Sequence, residues 1–252
     1  MKTSKPPIFQ HPELDGRPFF FEGTDKEKPA LLFVHGFTAT TVEVRQIANS
    51  MNRIGYSVKA PLLPGHGTTP ELMNTIKMKE WIESIDSAYL ELSQNHRSIF
   101  VFGESMGALL TCYLAHKHPE IKKIFLFAPA LRIDGLWQSV FLWPFVSYVY
   151  KKHTDATMLW QGYNVIPLRA ASQLYKLQKQ VRKCLPAIKT DCLIFQGKKD
   201  QTINADGAVE VFQKLGSKKK ELIWLDESSH CILLDQELSK VVEICVNNMD
   251  NL

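Results

Sequence analysis

Gly103-Glu104-Ser105-Met106-Gly107 sets a serine between two glycines, directly after the apolar run Ile99-Phe100-Val101-Phe102 and directly before a helical pattern. A serine on a sharp strand-to-helix turn is forced into a strained backbone conformation with its hydroxyl exposed. The residues two before and two after it must be small, because side chains there would collide in the turn. A serine hydroxyl is a poor nucleophile at its free pKa, so chemistry at Ser105 requires a base to take its proton and an acid to orient that base. His230 is the candidate base, returning the proton to the leaving group. Asp200 is the candidate acid, holding the imidazole tautomer and stabilising the imidazolium.

The elements that must position these residues are short apolar runs alternating with helical patterns, which predicts a parallel sheet covered on both faces by helices. Strands are expected at 19–21, 30–34, 56–60, 99–102, 123–127, 192–195 and 221–225, most of them continuous apolar runs as buried parallel strands require. Helices are expected at 42–54, 78–95, 107–117, 205–215 and 236–249, from apolar residues at i, i+3 and i+4. Ligands of open parallel sheets bind beyond the carboxyl ends of the strands. Ser105, Asp200 and His230 each follow a strand's carboxyl end, so all three are expected at one edge of the sheet. Among rival acids, Asp226 sits at its own strand's end, Asp191 at the wrong end of its strand, and Asp134 and Asp155 in an interval that breaks the strand–helix rhythm.

A tetrahedral intermediate needs donors aimed at its oxyanion. The residue after the nucleophile supplies one backbone N–H, here Met106 at the helix start. The loop after strand 30–34 opens with His35-Gly36-Phe37, making the Phe37 N–H the second candidate. His35 is expected to brace that loop by hydrogen bonding, and His66, between Gly65 and Gly67, to order its own loop. His11, His96, His116, His118 and His153 read as surface residues. No His, Cys and Asp spacing suits a metal, and no glycine-rich phosphate cradle follows a strand, so neither a metal nor a nucleotide cofactor is expected.

With 252 residues, 45% hydrophobic and 22% charged, the chain suits one large α/β domain or one domain with an insertion. A net charge of +4 without a broad basic stripe excludes a nucleic-acid surface. Five cysteines without framework spacing fit a reducing compartment. No apolar segment follows the basic N-terminus, so no secretory signal is expected. The most apolar stretch, 136–150, is interrupted by polar residues and Pro144 and is no membrane span. These features together give a cytoplasmic expectation and leave the oligomeric state open. Residues 131–186 exceed the usual length between strands and read as a helical insertion packed over the strand ends. Its first part is rich in aromatics. Trp137, Phe141 and Phe145, at near-helical spacing, either line an acyl pocket or pack the insertion on the core, and transient contact with lipid surfaces is a third role for such residues.

With the serine turn, His-Gly-Phe, Pro64-Gly65-His66-Gly67, Asp200 and His230 in place, the chain resembles the α/β-hydrolase superfamily. It looks most like the small bacterial carboxylesterase and monoacylglycerol lipase group, over nearly its whole length. The resemblance implies an α/β-hydrolase fold, a core domain of residues 1–130 and 187–252, and a cap of residues 131–186. It also implies Ser105 as nucleophile, Asp200 as acid, His230 as base, and the Phe37 and Met106 amides as the oxyanion hole. Two residues depart from that pattern. Glu104 puts a carboxylate beside the nucleophile, either paired within the fold or raising the pKa of His230. Ala108 stands where a further glycine is frequent.

The expected activity is cofactor-free hydrolysis of carboxylic esters through an acyl-enzyme, on monoacylglycerols or short-to-medium simple esters, with Trp137, Phe141 and Phe145 as substrate-binding residues. Thioesters or amides would use the same triad. A C–C bond hydrolase, a cofactor-free haloperoxidase or a non-catalytic binding module are further uses of the same fold.

Overall fold

The computed structural model describes residues 8–151 and 158–249, so Asp155 and His153 lie outside the described residues. The strands in chain order are β1 (Phe9–Gln10), β2 (Phe19–Phe21), β3 (Ala30–Val34), β4 (Val58–Ala60), β5 (Ile99–Glu104), β6 (Lys123–Phe127), β7 (Tyr148–Tyr150), β8 (Gly162–Tyr163), β9 (Val165–Pro167), β10 (Asp191–Gly197) and β11 (Lys220–Leu225). The helices are α1 (Val42–Arg53), α2 (Pro70–Met73), α3 (Met78–Ser93), α4 (Met106–Lys117), α5 (Ser139–Leu142), α6 (Leu168–Cys184), α7 (Asp206–Lys214) and α8 (Leu238–Met249).

Seven strands form one sheet in the order β11-β10-β6-β5-β3-β4-β2. All neighbours are parallel except β2, which runs antiparallel to β4 at the edge. The chain leaves β3 outward to β4, then crosses back through α3 to place β5 on the other side of β3. The order thus reverses between β3 and β5, and open α/β sheets bind ligands beyond the carboxyl ends of the strands at such a reversal. β5, which delivers the serine, is the middle strand of the seven.

The apolar runs behave as their composition requires. Every residue of β3, β5 and β6 is buried, whereas the edge strands β2 and β11 are only half-covered. Register stacks phenyl rings across the sheet. Phe33 pairs with Phe102, Phe102 with Phe125, and Phe127 with Phe195, at centroid separations of 4.5, 4.3 and 4.9 Å. Each such pair adds about 0.5–1.5 kcal/mol beyond its buried area, which stiffens the floor from which the site residues project.

Helix α1 buries Val44, Ile47, Ala48 and Met51 and packs against α8. Helices α3, α4 and α6 pack on one another. Helix α4 is buried without a break from Met106 to Cys112 and again at Leu114 and Ala115, so it is covered nearly all round rather than on one stripe. Among the described residues, no helix is long and apolar enough to cross a membrane. The interval 131–186 holds α5, α6 and the short antiparallel pair β7–β9, and β8 pairs with β1. Helix α6 seats this interval, contacting α5 on one side and α4 and α3 on the other.

Candidate active site

Ser105 sits between the end of β5 and the first turn of α4 with φ +57° and ψ −112°, a conformation that side chains other than glycine rarely adopt. Two close approaches force this turn. A β-carbon at Gly103 would stand 2.3 Å from the Gly107 carbonyl oxygen, and one at Gly107 would stand 2.1 Å from that of Val34. The backbone of the turn is pinned to its neighbour, with the Ser105 N–H donating to the Phe127 carbonyl at 2.9 Å and the Ala130 N–H to the Ser105 carbonyl at 3.2 Å.

The fold brings Ser105, His230 and Asp200 together. His230 Nε2 lies 3.0 Å from Ser105 Oγ, and Nδ1 lies 2.8 Å from Asp200 Oδ2. Asp200 closes the turn after β10. Its Oδ1 accepts the Thr202 and Ile203 N–H groups at 2.8 and 3.1 Å, and its Oδ2 also accepts Gln196 Nε2 at 3.1 Å. Burial acts to raise the pKa of this carboxyl, but the charge and hydrogen bond of His230 and the two backbone amides outweigh it, so the group is held below its usual range. The loop carrying His230 is anchored in turn. Ser229 donates its N–H and its hydroxyl to Asp235 Oδ2 at 2.6 Å each, and the Ser228 hydroxyl donates to Glu237 Oε2 at 2.8 Å. A hydrogen-bonded serine, imidazole and carboxylate can pass a proton from nucleophile to leaving group.

The rival acids are occupied elsewhere: Asp226 is exposed and paired with Lys198 at 2.5 Å, and Asp191 faces Lys219 at 3.7 Å. Phe37 and Met106 border the serine, Phe37 on the loop after β3 and Met106 as the first residue of α4. Among the described residues neither backbone N–H has a hydrogen-bond acceptor. His35 is fully buried; its Nδ1 lies 2.9 Å from the Gly36 carbonyl and its Nε2 accepts the Leu63 N–H at 3.1 Å. Burial lowers its pKa to about 4. It is therefore a neutral brace for the loop, as its position in His-Gly-Phe suggests. His66 contacts the Leu63 and Pro64 carbonyls at 3.2 and 3.1 Å and orders its own turn. His118 is half-buried rather than on the surface, bridging Asp86 and Glu120.

Trp137, Phe141 and Phe145 stand apart from this cluster at the surface, 52%, 66% and 86% exposed, with Trp137 and Phe141 meeting edge to face. Val140, Leu142 and Val146 extend the same exposed apolar ridge. No group of three or more His, Cys, Asp or Glu side chains among the described residues is placed to hold a metal ion.

Several site residues gave no functional signal in the sequence. Gln196 shows only as a polar residue after the apolar run 192–195. Glu43 looked like an ordinary acid in the first turn of a helix, where it complements the helix dipole. Inside the fold it is buried beside the His-Gly-Phe loop, and burial raises its pKa, opposed by the Gly36 N–H and the His230 charge. From far along the chain, Lys151 reaches Thr38 in the same loop and Trp160 reaches Glu43.

The arrangement has relatives. A model of the serine aminopeptidase S33 family, Hydrolase_4, matches residues 25–162 and 160–237. The thermostable monoacylglycerol lipase of Bacillus sp. (strain H-257) is 32% identical over 239 residues, covering 93% of this chain and 94% of that protein. The carboxylesterase of Bacillus subtilis (strain 168) is 29% identical over 229 residues, covering 88% and 91%. A solved structure from work on LipS and LipT, two metagenome-derived lipolytic enzymes, superposes with a TM-score of 0.89 at 28% identity, covering 95% of this chain and 99% of that one. With its strand order, its serine turn and a family match over most of its length, this chain belongs to the Hydrolase_4 serine aminopeptidase S33 family and has the α/β-hydrolase fold.

Proposed function

We propose that this protein hydrolyses carboxylic esters of apolar acyl chains, monoacylglycerols among them, through an acyl-enzyme on Ser105. The observation that carries the reading is the continuous hydrogen-bonded line from Ser105 Oγ through both ring nitrogens of His230 to the enclosed Asp200 carboxylate. The similarity to a monoacylglycerol lipase and a carboxylesterase supports the choice of ester over other acyl substrates.

In this mechanism Ser105 Oγ attacks the ester carbonyl while its proton passes to His230 Nε2. The carbonyl π electrons move onto oxygen, where the Phe37 and Met106 N–H groups receive the negative charge. Loss of one such donor costs about 3 kcal/mol of transition-state stabilisation. Collapse expels the alcohol, which takes the proton from His230 and leaves Ser105 acylated. Water then repeats the sequence with His230 as base and releases the carboxylic acid. Asp200 keeps its charge throughout and holds the imidazole with Nδ1 protonated.

Residues 131–186 act as a cap on the core formed by 1–130 and 187–252, with α6 as its base. The exposed ridge of Trp137, Phe141 and Phe145 is where apolar substrate first meets the protein, in keeping with the tendency of such patches to mark ligand or lipid contact. The five free thiols fit work in the reducing cytoplasm.

The test is labelling by a fluorophosphonate together with turnover of p-nitrophenyl butyrate. Ser105→Ala should lose both while its circular dichroism spectrum and melting temperature stay close to wild type. Retention of most turnover by that variant would refute the assignment.

A further inference from the structure

Three consecutive peptide groups after β3 are each held by a different side chain. The peptide between His35 and Gly36 is held through its N–H, which donates to Glu43 Oε2. The peptide between Gly36 and Phe37 is held through its carbonyl, which accepts His35 Nδ1 at 2.9 Å. The peptide between Phe37 and Thr38 is held through its carbonyl, which accepts the Thr38 hydroxyl at 2.5 Å; that same Oγ1 accepts Lys151 Nζ at 2.7 Å. In a planar trans peptide the C=O and N–H point in opposite directions, so fixing the Gly36 carbonyl fixes where the Phe37 N–H aims.

A charged residue stands at each end of this run: Glu43 holds the first peptide directly, and Lys151 holds the Thr38 hydroxyl that grips the third. Glu43, on the first turn of α1, is 3% exposed. Its other oxygen accepts Trp160 Nε1 at 3.4 Å, and the Lys151 ammonium lies 4.1 Å from the centroid of the Trp160 ring. One indole thus joins the acid and the base that grip the loop from its two ends. Between them, a β-carbon added at Gly36 would stand 3.0 Å from Glu43 Oε2 and 3.1 Å from the Ser105 β-carbon, so this loop runs directly alongside the nucleophile. Thr38 has φ +66°, a strained conformation for a β-branched residue, and its carbonyl accepts the Tyr163 N–H at 2.9 Å. Such strain persists only where the surroundings over-determine it.

We propose that Glu43 and Lys151 are positioning residues for the oxyanion hole, clamping loop 36–38 so that the Phe37 N–H is pre-aimed at the developing oxyanion. Lys151 belongs to the interval 131–186, so alignment of this donor depends on how that interval is seated. A cap displaced far enough to withdraw Lys151 frees one end of the loop and weakens catalysis without touching Ser105, His230 or Asp200. The inference rests on the ester-hydrolase reading and deepens it.

The experiment compares wild type, Glu43→Ala, Glu43→Gln and Lys151→Met in turnover of p-nitrophenyl butyrate and in affinity for an alkyl trifluoromethyl ketone. This ketone takes up Ser105 Oγ at its carbonyl carbon, sends the serine proton to His230 and leaves an oxyanion in the hole. Glu43→Ala and Lys151→Met should lower kcat by about 10–100-fold, less than outright loss of a donor, with KM nearly unchanged. Ketone affinity should fall by the same factor, and affinity for the fatty-acid product should not move. Glu43→Gln, which keeps an acceptor for the Gly36 N–H, should recover most of the loss. Unchanged kcat with only a lowered melting temperature, or a loss confined to KM, overturns the proposal. If Glu43→Ala does not fold, the Lys151→Met and Glu43→Gln data decide. Absence of turnover by the wild-type protein would instead refute the ester reading itself.

Discussion

Glu104 Oε1 accepts the Leu233 N–H at 3.1 Å, which ties the residue before Ser105 to the turn that follows His230. The carboxyl beside Ser105 is thus part of the mounting of His230. Its second oxygen has no partner among the described residues. Burial, and next the Glu43 charge, push the carboxyl well above its usual range, opposed by the Leu233 and Ile232 amides. The folded protein therefore keeps a proton that the unfolded chain loses near pH 4.5. The stability linked to that proton is fully present below this pH and declines as pH rises, by about 1.4 kcal/mol per unit until the folded group ionises. Glu104→Gln removes the titration. Its unfolding free energy relative to wild type should climb over the pH range above 4.5 in urea melts. A constant difference across that window would contradict the assignment.

Asp200→Asn should lower kcat by about four orders of magnitude, as loss of the tautomer-setting acid does in serine proteases. The variant should bind substrate nearly as well as wild type. Asp226→Asn, at an exposed pair with Lys198, should change turnover by less than about twofold, since surface ion pairs contribute little. Steady-state kinetics of the two variants side by side separate the acids, and the reverse ranking would reassign the role.

Gly107→Ala adds a β-carbon 2.1 Å from the Val34 carbonyl oxygen, a backbone atom with no freedom to move away. The cost should reach or exceed the roughly 1–3 kcal/mol typical of overpacking, and the turn presenting Ser105 should shift. A lower melting temperature together with a large loss of ester turnover is expected. A variant that melts and turns over like wild type would show that the turn tolerates the methyl.

Phe145 is 86% exposed, so Phe145→Ser should alter stability by no more than about 0.5 kcal/mol. On the reading of the cap ridge as the point of substrate arrival, its effect is selective. Turnover of emulsified monoacylglycerol should fall several-fold while soluble p-nitrophenyl butyrate is cleaved as before. Equal rates on both substrates for variant and wild type would remove this residue from substrate capture.

What could be read from the chain alone follows from locality. The buried strands are uninterrupted apolar runs, so 30–34 and 123–127 match β3 and β6 to the residue, while β5 and β10 run one or two residues past their apolar cores. Helix α1 was expected at 42–54 and spans Val42–Arg53. Ser105, Asp200 and His230 were legible because each follows a strand end, and parallel topology brings those ends to one side. Glu43, Lys151 and Trp160 were not legible. Their roles come from contacts around the loop at 36–38: Lys151 reaches Thr38 across 113 positions and Trp160 reaches Glu43 across 117, so no local pattern marks them. The strands β7 to β9 escaped for a related reason: each is two or three residues long and takes its identity from its partner rather than from its own composition.

The hydrogen bond between Ser105 and His230 spans 125 positions of the chain, whereas that between His230 and Asp200 spans 30. Loop closure over such distances is the slow part of assembling non-local folds. A nascent chain that has delivered β5 and α4 carries Ser105, yet holds an unactivated hydroxyl until β10 and β11 have docked beyond β6. On the proposed mechanism Ser105 is thereby silent until those strands dock, and ester turnover during refolding reports completion of the sheet rather than formation of the turn.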